Sequence, residues 1–226
     1  MKSKIKNNFW EDAKQVKRFA TREPDHRLQK LVKQYSRPQQ IRALDLGCAG
    51  GRNTTFLCRL GFDVWAVDAS LSMIRETKSR LKRFLSTEAL RERIIYGEMS
   101  DLSWAADNFF DLVLALGIYH NAQSEGEFRT TLHETARVTT TGGLLLVANF
   151  SPGFAPEFQE LKKIKNSEFV YEHSANGNMC LLTANELDAE MKAVGFYPLE
   201  KSETVTRESE TGRRVTVNAL YEKRLL

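Results

Sequence analysis

The chain has 226 residues, 42% of them hydrophobic and 27% charged, and a net charge of +4. This length and balance fit one globular domain with a single core better than two, and no apolar run approaches the roughly 18–20 residues that a membrane helix needs. The basic residues are scattered among 29 acids, so the dense run at residues 2–6, with residues 14–18 beyond, reads as a solvated helix face, and nucleic acid is not the expected partner.

The start, MKSKIKNNFW, lacks the apolar stretch of a secretory signal. Cys48, Cys58 and Cys180 have neither framework spacing nor a CxxC pair. A reducing, cytoplasmic setting is the expectation. Residues 9–20 and 26–35 read as two amphipathic helices separated by Glu23-Pro24, with Pro38 closing the segment. Strand and helix patterns then alternate. Residues 41–46 read as a strand, 53–60 as a helix, 63–67 as a strand and 71–85 as a helix with Ser70 as its cap. Residues 93–96 and 112–116 follow as short strands, 125–138 as a helix, and 143–148 as a strand after the turn Thr141-Gly142-Gly143. Strands apolar on both sides that alternate with helices imply a parallel sheet covered on both faces.

The tail changes character. Thr183-Ala-Asn-Glu186 is a capping box opening a helix through Val194, and Gly195 stands where a C-terminal glycine cap belongs. Residues 196–206 and 214–221 read as strands around a polar turn at 208–212, too close together for a parallel crossover. The expectation is a doubly wound, mostly parallel α/β sheet with an antiparallel final strand lying between the fifth strand and residues 196–206. It divides into helices at 1–38, a ligand-binding core at 39–150, an insert at 151–182, and the late helix with its strand pair at 183–226.

The most informative stretch is Asp45-Leu-Gly47-Cys48-Ala49-Gly50-Gly51-Arg52-Asn53, where a strand ends in a glycine-rich turn that opens a helix. Such a turn lets a ligand approach the peptide units, although a tight turn with no ligand would look alike. The second strand ends at Asp68, 23 residues after Asp45, where an acid can accept hydrogen bonds from a ribose diol. An adenosine-type ligand follows. No Gly-Lys-Ser/Thr is present for a triphosphate, and the glycines miss the G-x-G-x-x-G register.

On these residues the sequence resembles a class I S-adenosylmethionine-dependent methyltransferase of the small-molecule type, whose signature turn is Asp/Glu-x-Gly-x-Gly-x-Gly. Asp45, Gly47 and Gly51 fit; Ala49 replaces the middle glycine, and Gly50 is expected to supply the flexible position instead. The likeness runs from residue 41 to 196. It implies S-adenosylmethionine as cofactor, held at the turn by Asp45, Gly47, Cys48, Ala49, Arg52 and Asn53. After the second strand it implies Asp68, Ala69 and Met73. Ser100, Asp101 and Leu102 would bracket the adenine, with a helix N-cap the alternative for Asp101, and Leu116 would end the fourth strand over the cofactor. The N-terminal helices resemble a lid, from which Arg22 could meet the methionine carboxylate or be an ordinary surface arginine.

In Ile118-Tyr119-His120-Asn121, after the fourth strand, His120 is the candidate base or acceptor-orienting group and Tyr119 the next candidate. The alternative is that His120 packs against the cofactor or caps the next helix. The other histidines have no metal-like spacing, so no metal is expected. Cys48 reads as a small packing residue. Phe154, Phe158, Phe169, Tyr171 and His173 would give the insert an aromatic wall, with a hairpin turn at Asn176-Gly177. The expected partner is a small-molecule methyl acceptor, with the chain a monomer or homodimer. Methylation of RNA or protein, and a regulatory module without catalysis, are the competing readings.

Overall fold

A computed structural model describes residues 8–173 and 177–225. The basic run at residues 2–6 and Asn176 of the expected hairpin turn therefore lie outside the described residues. The chain forms two compact units that meet in sequence between Glu98 and Met99.

The first unit runs α1 (Asn8–Glu11), α2 (Ala13–Ala20), α3 (His26–Leu31), β1 (Arg42–Leu46), α4 (Arg52–Arg59), β2 (Asp63–Asp68), α5 (Leu71–Leu81), α6 (Thr87–Arg93) and β3 (Ile94–Tyr96). The single helix expected over residues 9–20 is broken. Asp12 accepts from the Lys14 and Gln15 backbone N–H groups at 3.0 Å each, which caps α2 and ends α1. β2 pairs in parallel with both β1 and β3. Ser70 caps α5 as expected, accepting from the Met73 N–H. Beneath the strands lies a core of Cys48, Ala66, Ile74, Leu81, Leu90 and Ile94. Burying side chains of the size of Leu81 and Ile94 is worth about 1.5–3 kcal/mol each.

The second unit runs β4 (Phe110–Leu116), α7 (Glu125–Val138), β5 (Thr139–Phe150), β6 (Ala155–Pro156), β7 (Lys162–Lys163), β8 (Val170–His173), β9 (Gly177–Cys180), α8 (Ala184–Ala193), β10 (Phe196–Pro198), β11 (Glu203–Ser209) and β12 (Gly212–Lys223). β4 and β5 are parallel. The turn expected at residues 141–143 is absorbed into β5 as an irregularity, where the register shifts between Phe110 and Leu112 and Gly142 takes a φ of +78°.

The tail follows the expected topology. β12 pairs antiparallel with β5 along one edge and with β10 and β11 along the other. The strand expected at 196–206 is split in two, with Leu199 N–H donating to Leu220 O at 2.9 Å beside the gap. The Thr183–Glu186 capping box is formed, and Gly195 has a φ of +87° just past α8. In the insert, β7, β8 and β9 make a separate antiparallel sheet. Among the described residues no helix is long and apolar enough to cross a membrane.

Candidate active site

The glycine turn after β1 is held by its own backbone. Gly47 and Cys48 both donate to the Val67 carbonyl, at 2.9 and 3.1 Å, which ties the turn to the end of β2. Gly47, Ala49 and Gly51 have φ of +73°, +48° and +75°. Ala49, not Gly50, thus takes the left-handed conformation, which corrects the sequence expectation. The conformation costs a residue with a Cβ about 1–2 kcal/mol. Two bonds offset it: Ala49 N–H donates to Asp68 Oδ2 at 2.8 Å, and Thr77 Oγ1 donates to the Ala49 carbonyl at 2.8 Å. Gly50 serves packing, since a Cβ there would lie 2.6 Å from the Ala20 Cβ and 2.8 Å from its Cα.

Two carboxylates flank the turn. Asp45 is buried, and burial raises it to about 6 against the opposing bond from Thr54 Oγ1 at 2.6 Å. Asp68 is also raised to about 6 by burial, opposed by the Ser70 and Ala49 N–H groups. Ser70 N–H donates to Oδ1 at 2.9 Å. Each Asp68 oxygen so receives one backbone donor and keeps capacity to accept another. Cys48 is buried and its thiol is pushed well up by burial, which suits the packing role. Met73 is fully buried, so its side chain belongs to the core and is corrected from the ligand-facing role expected of it, whereas Ala69 is exposed.

The N-terminal helices close on this turn within the same unit. Glu11 accepts from the Leu71 and Ser72 N–H groups at 3.0 and 3.1 Å, satisfying the start of α5, and Ser70 Oγ donates to the Trp10 carbonyl at 2.9 Å. Asp25 N–H donates to Asn53 Oδ1 at 3.0 Å, and Arg52 Nη1 donates to the Glu23 carbonyl at 3.4 Å. The guanidinium of Arg22 lies 4.7 Å over the Phe19 ring. Burial, then the positive charges of Arg18 and Arg52, hold Arg22 below the usual arginine range. Glu11, Ala20 and Thr77 carry no local motif. Each reaches the turn or its flank across a long sequence separation.

In the second unit, Asp101 is exposed and accepts from the Ser103 N–H at 3.1 Å. That bond, with the Ser103 hydroxyl leading, keeps its carboxyl below the usual range. No helix follows, so Asp101 closes a turn and is not an N-cap. Ser100 is partly exposed. The Leu102 backbone is committed to α7, its N–H donating to Glu134 and its carbonyl accepting from Arg137, both at 2.9 Å. Leu116 is partly exposed at the end of β4.

The two residues expected to do chemistry separate. Tyr119 is fully buried, its hydroxyl donates to Thr135 Oγ1 at 3.1 Å, and its ring meets Phe128 edge-on. Burial raises the phenol well above its ordinary value. Tyr119 is a core residue, which corrects its expected catalytic role. His120 is buried with 6% exposure and lies parallel to Phe150, centroids 4.0 Å apart. Phe150 stacks in turn on Phe154 at 4.2 Å, and the Arg214 guanidinium lies 5.1 Å over Phe150. Burial, then the Arg214 charge, pushes His120 down to about 3, so the imidazole is neutral. Its Nδ1 is buried without a hydrogen-bond partner. The aromatic residues of the insert do not form one wall. Phe154 joins this ladder, Phe169 is buried against Phe128, and Phe158 is 59% exposed.

A family model described as a methyltransferase domain matches residues 43–143. The chain is 29% identical over 168 residues to a demethylmenaquinone methyltransferase of Corynebacterium urealyticum, covering 69% of this chain and 67% of that enzyme. It is 31% identical over 115 residues to a ubiquinone biosynthesis O-methyltransferase of Caulobacter sp. (strain K31), covering 49% of this chain and only 41% of that enzyme. In fold it is similar to the Burkholderia thailandensis 1,6-didemethyltoxoflavin-N1-methyltransferase, solved with 1,6-didemethyltoxoflavin and S-adenosylhomocysteine bound. The TM-score is 0.65 at 19% identity, with 96% of this chain and 81% of that one covered. The glycine turn with Asp68 at the end of β2, the antiparallel final strand and these matches together support a class I S-adenosylmethionine-dependent methyltransferase, with residues 43–143 as its matched methyltransferase domain.

Proposed function

We propose that the chain transfers a methyl group from S-adenosylmethionine to a small-molecule acceptor. The observation that carries this reading is Asp68, a carboxylate locked in place by two backbone donors beside a left-handed turn. A ribose diol offers two hydroxyl donors, and the two Asp68 oxygens have two accepting positions left. The turn at residues 47–51 takes the methionine portion, and Arg22, with Arg18 and Arg52 adding positive charge, attracts its carboxylate. For the second unit, the family resemblance assigns the adenine amine to Asp101 and the acceptor side to His120. The bound cofactor supplies an electrophilic methyl on a sulfonium, so the protein has only to hold an acceptor in line and exclude water. The matched relatives support a small-molecule acceptor, and a monomer or homodimer is the assembly this reading takes.

The test is calorimetry with S-adenosylhomocysteine, followed by transfer of labelled methyl to a panel of phenols, amines and carboxylic acids. Asp68→Ala removes two charge-assisted bonds of about 1.5–3 kcal/mol each, so affinity should fall at least tenfold while the circular dichroism spectrum is kept. Unchanged affinity would show that Asp68 only closes the turn.

A further inference from the structure

The second unit holds a feature that a generic methyl-transfer site does not require. His120 follows β4 and Phe150 ends β5, so both stand at the carboxyl ends of parallel strands, where doubly wound sheets bind their ligands. There the rings of His120, Phe150 and Phe154 form a parallel ladder, with centroid spacings of 4.0 and 4.2 Å and interplanar angles of 19° and 20°. The ladder runs from the buried His120 to Phe150 and Phe154, which are partly exposed. Arg214, exposed on β12, brings a positive charge to the Phe150 ring. Phe154, the outer rung at the exposed end of the ladder, keeps exposed surface and offers a flat ligand the same offset stacking. The guanidinium beside it selects for negative charge and can bond an oxyanion.

We propose that Phe154, backed by Phe150 and His120, forms the acceptor subsite with Arg214, and that it takes a planar hydroxyarene or enol bound as its oxyanion. This rests on the methyl-transfer reading above and narrows it to one acceptor class. The neutral state of His120 agrees with it, because a buried imidazole beside a guanidinium is a poor proton acceptor. The acceptor gives its proton to water on binding next to Arg214. Its oxygen then forms a bond to the methyl carbon as the carbon–sulfur bond breaks, and the pair left on sulfur cancels the sulfonium charge. No protein base is consumed. His120 backs the ladder at its buried end and takes no proton.

Binding, not turnover, gives the test. The full chain saturated with S-adenosylhomocysteine is titrated with 2-hydroxy-1,4-naphthoquinone, which is flat and anionic at neutral pH, and with its uncharged 2-methoxy analogue. The wild type should prefer the anion by about tenfold or more. Arg214→Gln should abolish that preference while leaving the uncharged ring within about twofold, and Arg214→Lys should restore part of it. Phe154→Leu should weaken both ligands together. Equal affinities in the wild type, or an anion preference that survives Arg214→Gln, would overturn the proposal while leaving methyl transfer standing. Failure to bind S-adenosylhomocysteine at all would overturn both.

Discussion

Cofactor affinity should depend on pH through Asp68. Burial raises this carboxyl to about 6, and a ribose diol needs the ionised form as its acceptor. At pH 7 about nine in ten Asp68 side chains are ionised, and at pH 5 about one in eleven, so the dissociation constant for S-adenosylhomocysteine should rise about tenfold between them. Stability of the free protein should move the other way. The folded pKa lies above the unfolded value, so the contribution is fully present below about pH 4 and is lost as pH rises through 6. An upward shift of two units corresponds to about 2–3 kcal/mol for Asp68, and Asp45, raised to the same value, acts in the same direction. Calorimetry at pH 5, 6 and 7, paired with urea unfolding of the ligand-free protein, reads both trends. Asp68→Asn should flatten the affinity profile. A dissociation constant equal at pH 5 and 7, or a pH dependence that survives Asp68→Asn, would refute the assignment of the ribose to Asp68.

Gly50→Ala should destabilise the protein by about 1–3 kcal/mol, because the new methyl meets the Ala20 backbone, and urea midpoints would show it. An unchanged midpoint would mean that α2 does not press on the turn. Tyr119→Phe should cost about 1 kcal/mol through the lost bond to Thr135 and leave methyl transfer at wild-type rate. A hundredfold loss of turnover would return Tyr119 to the reaction.

The order of elements was legible because the first five strands and their helices carry strong apolar patterning, with caps at Ser70 and Thr183. Helix α6 escaped because Leu90 is its sole buried residue, too little for a period to register. The longer strand at 196–206 was overcalled because the chain leaves and rejoins β12 around Leu199. In the candidate site, Asp68 and the glycine turn stand out from spacing alone. The left-handed position falls on Ala49 and not on Gly50, and spacing could not show this because Thr77, which pins Ala49, is 28 residues away. Tyr119 and His120 are adjacent in sequence and of similar chemistry, and only packing separates the core hydroxyl from the ring at the strand ends. Arg214 joins that ring through a strand pairing that no local pattern encodes.

The left-handed turn at Ala49 also limits how this sequence can change. A single methyl is tolerated there because Asp68 grips the amide and Thr77 grips the carbonyl of the same residue. A β-branched side chain would meet far greater backbone resistance at a φ of +48°, and loss of either grip would leave even alanine without its compensation. Position 49 is therefore mutationally coupled to 68 and 77. A glycine placed there first would release Thr77 to vary, while alanine keeps all three positions bound to one another's fate.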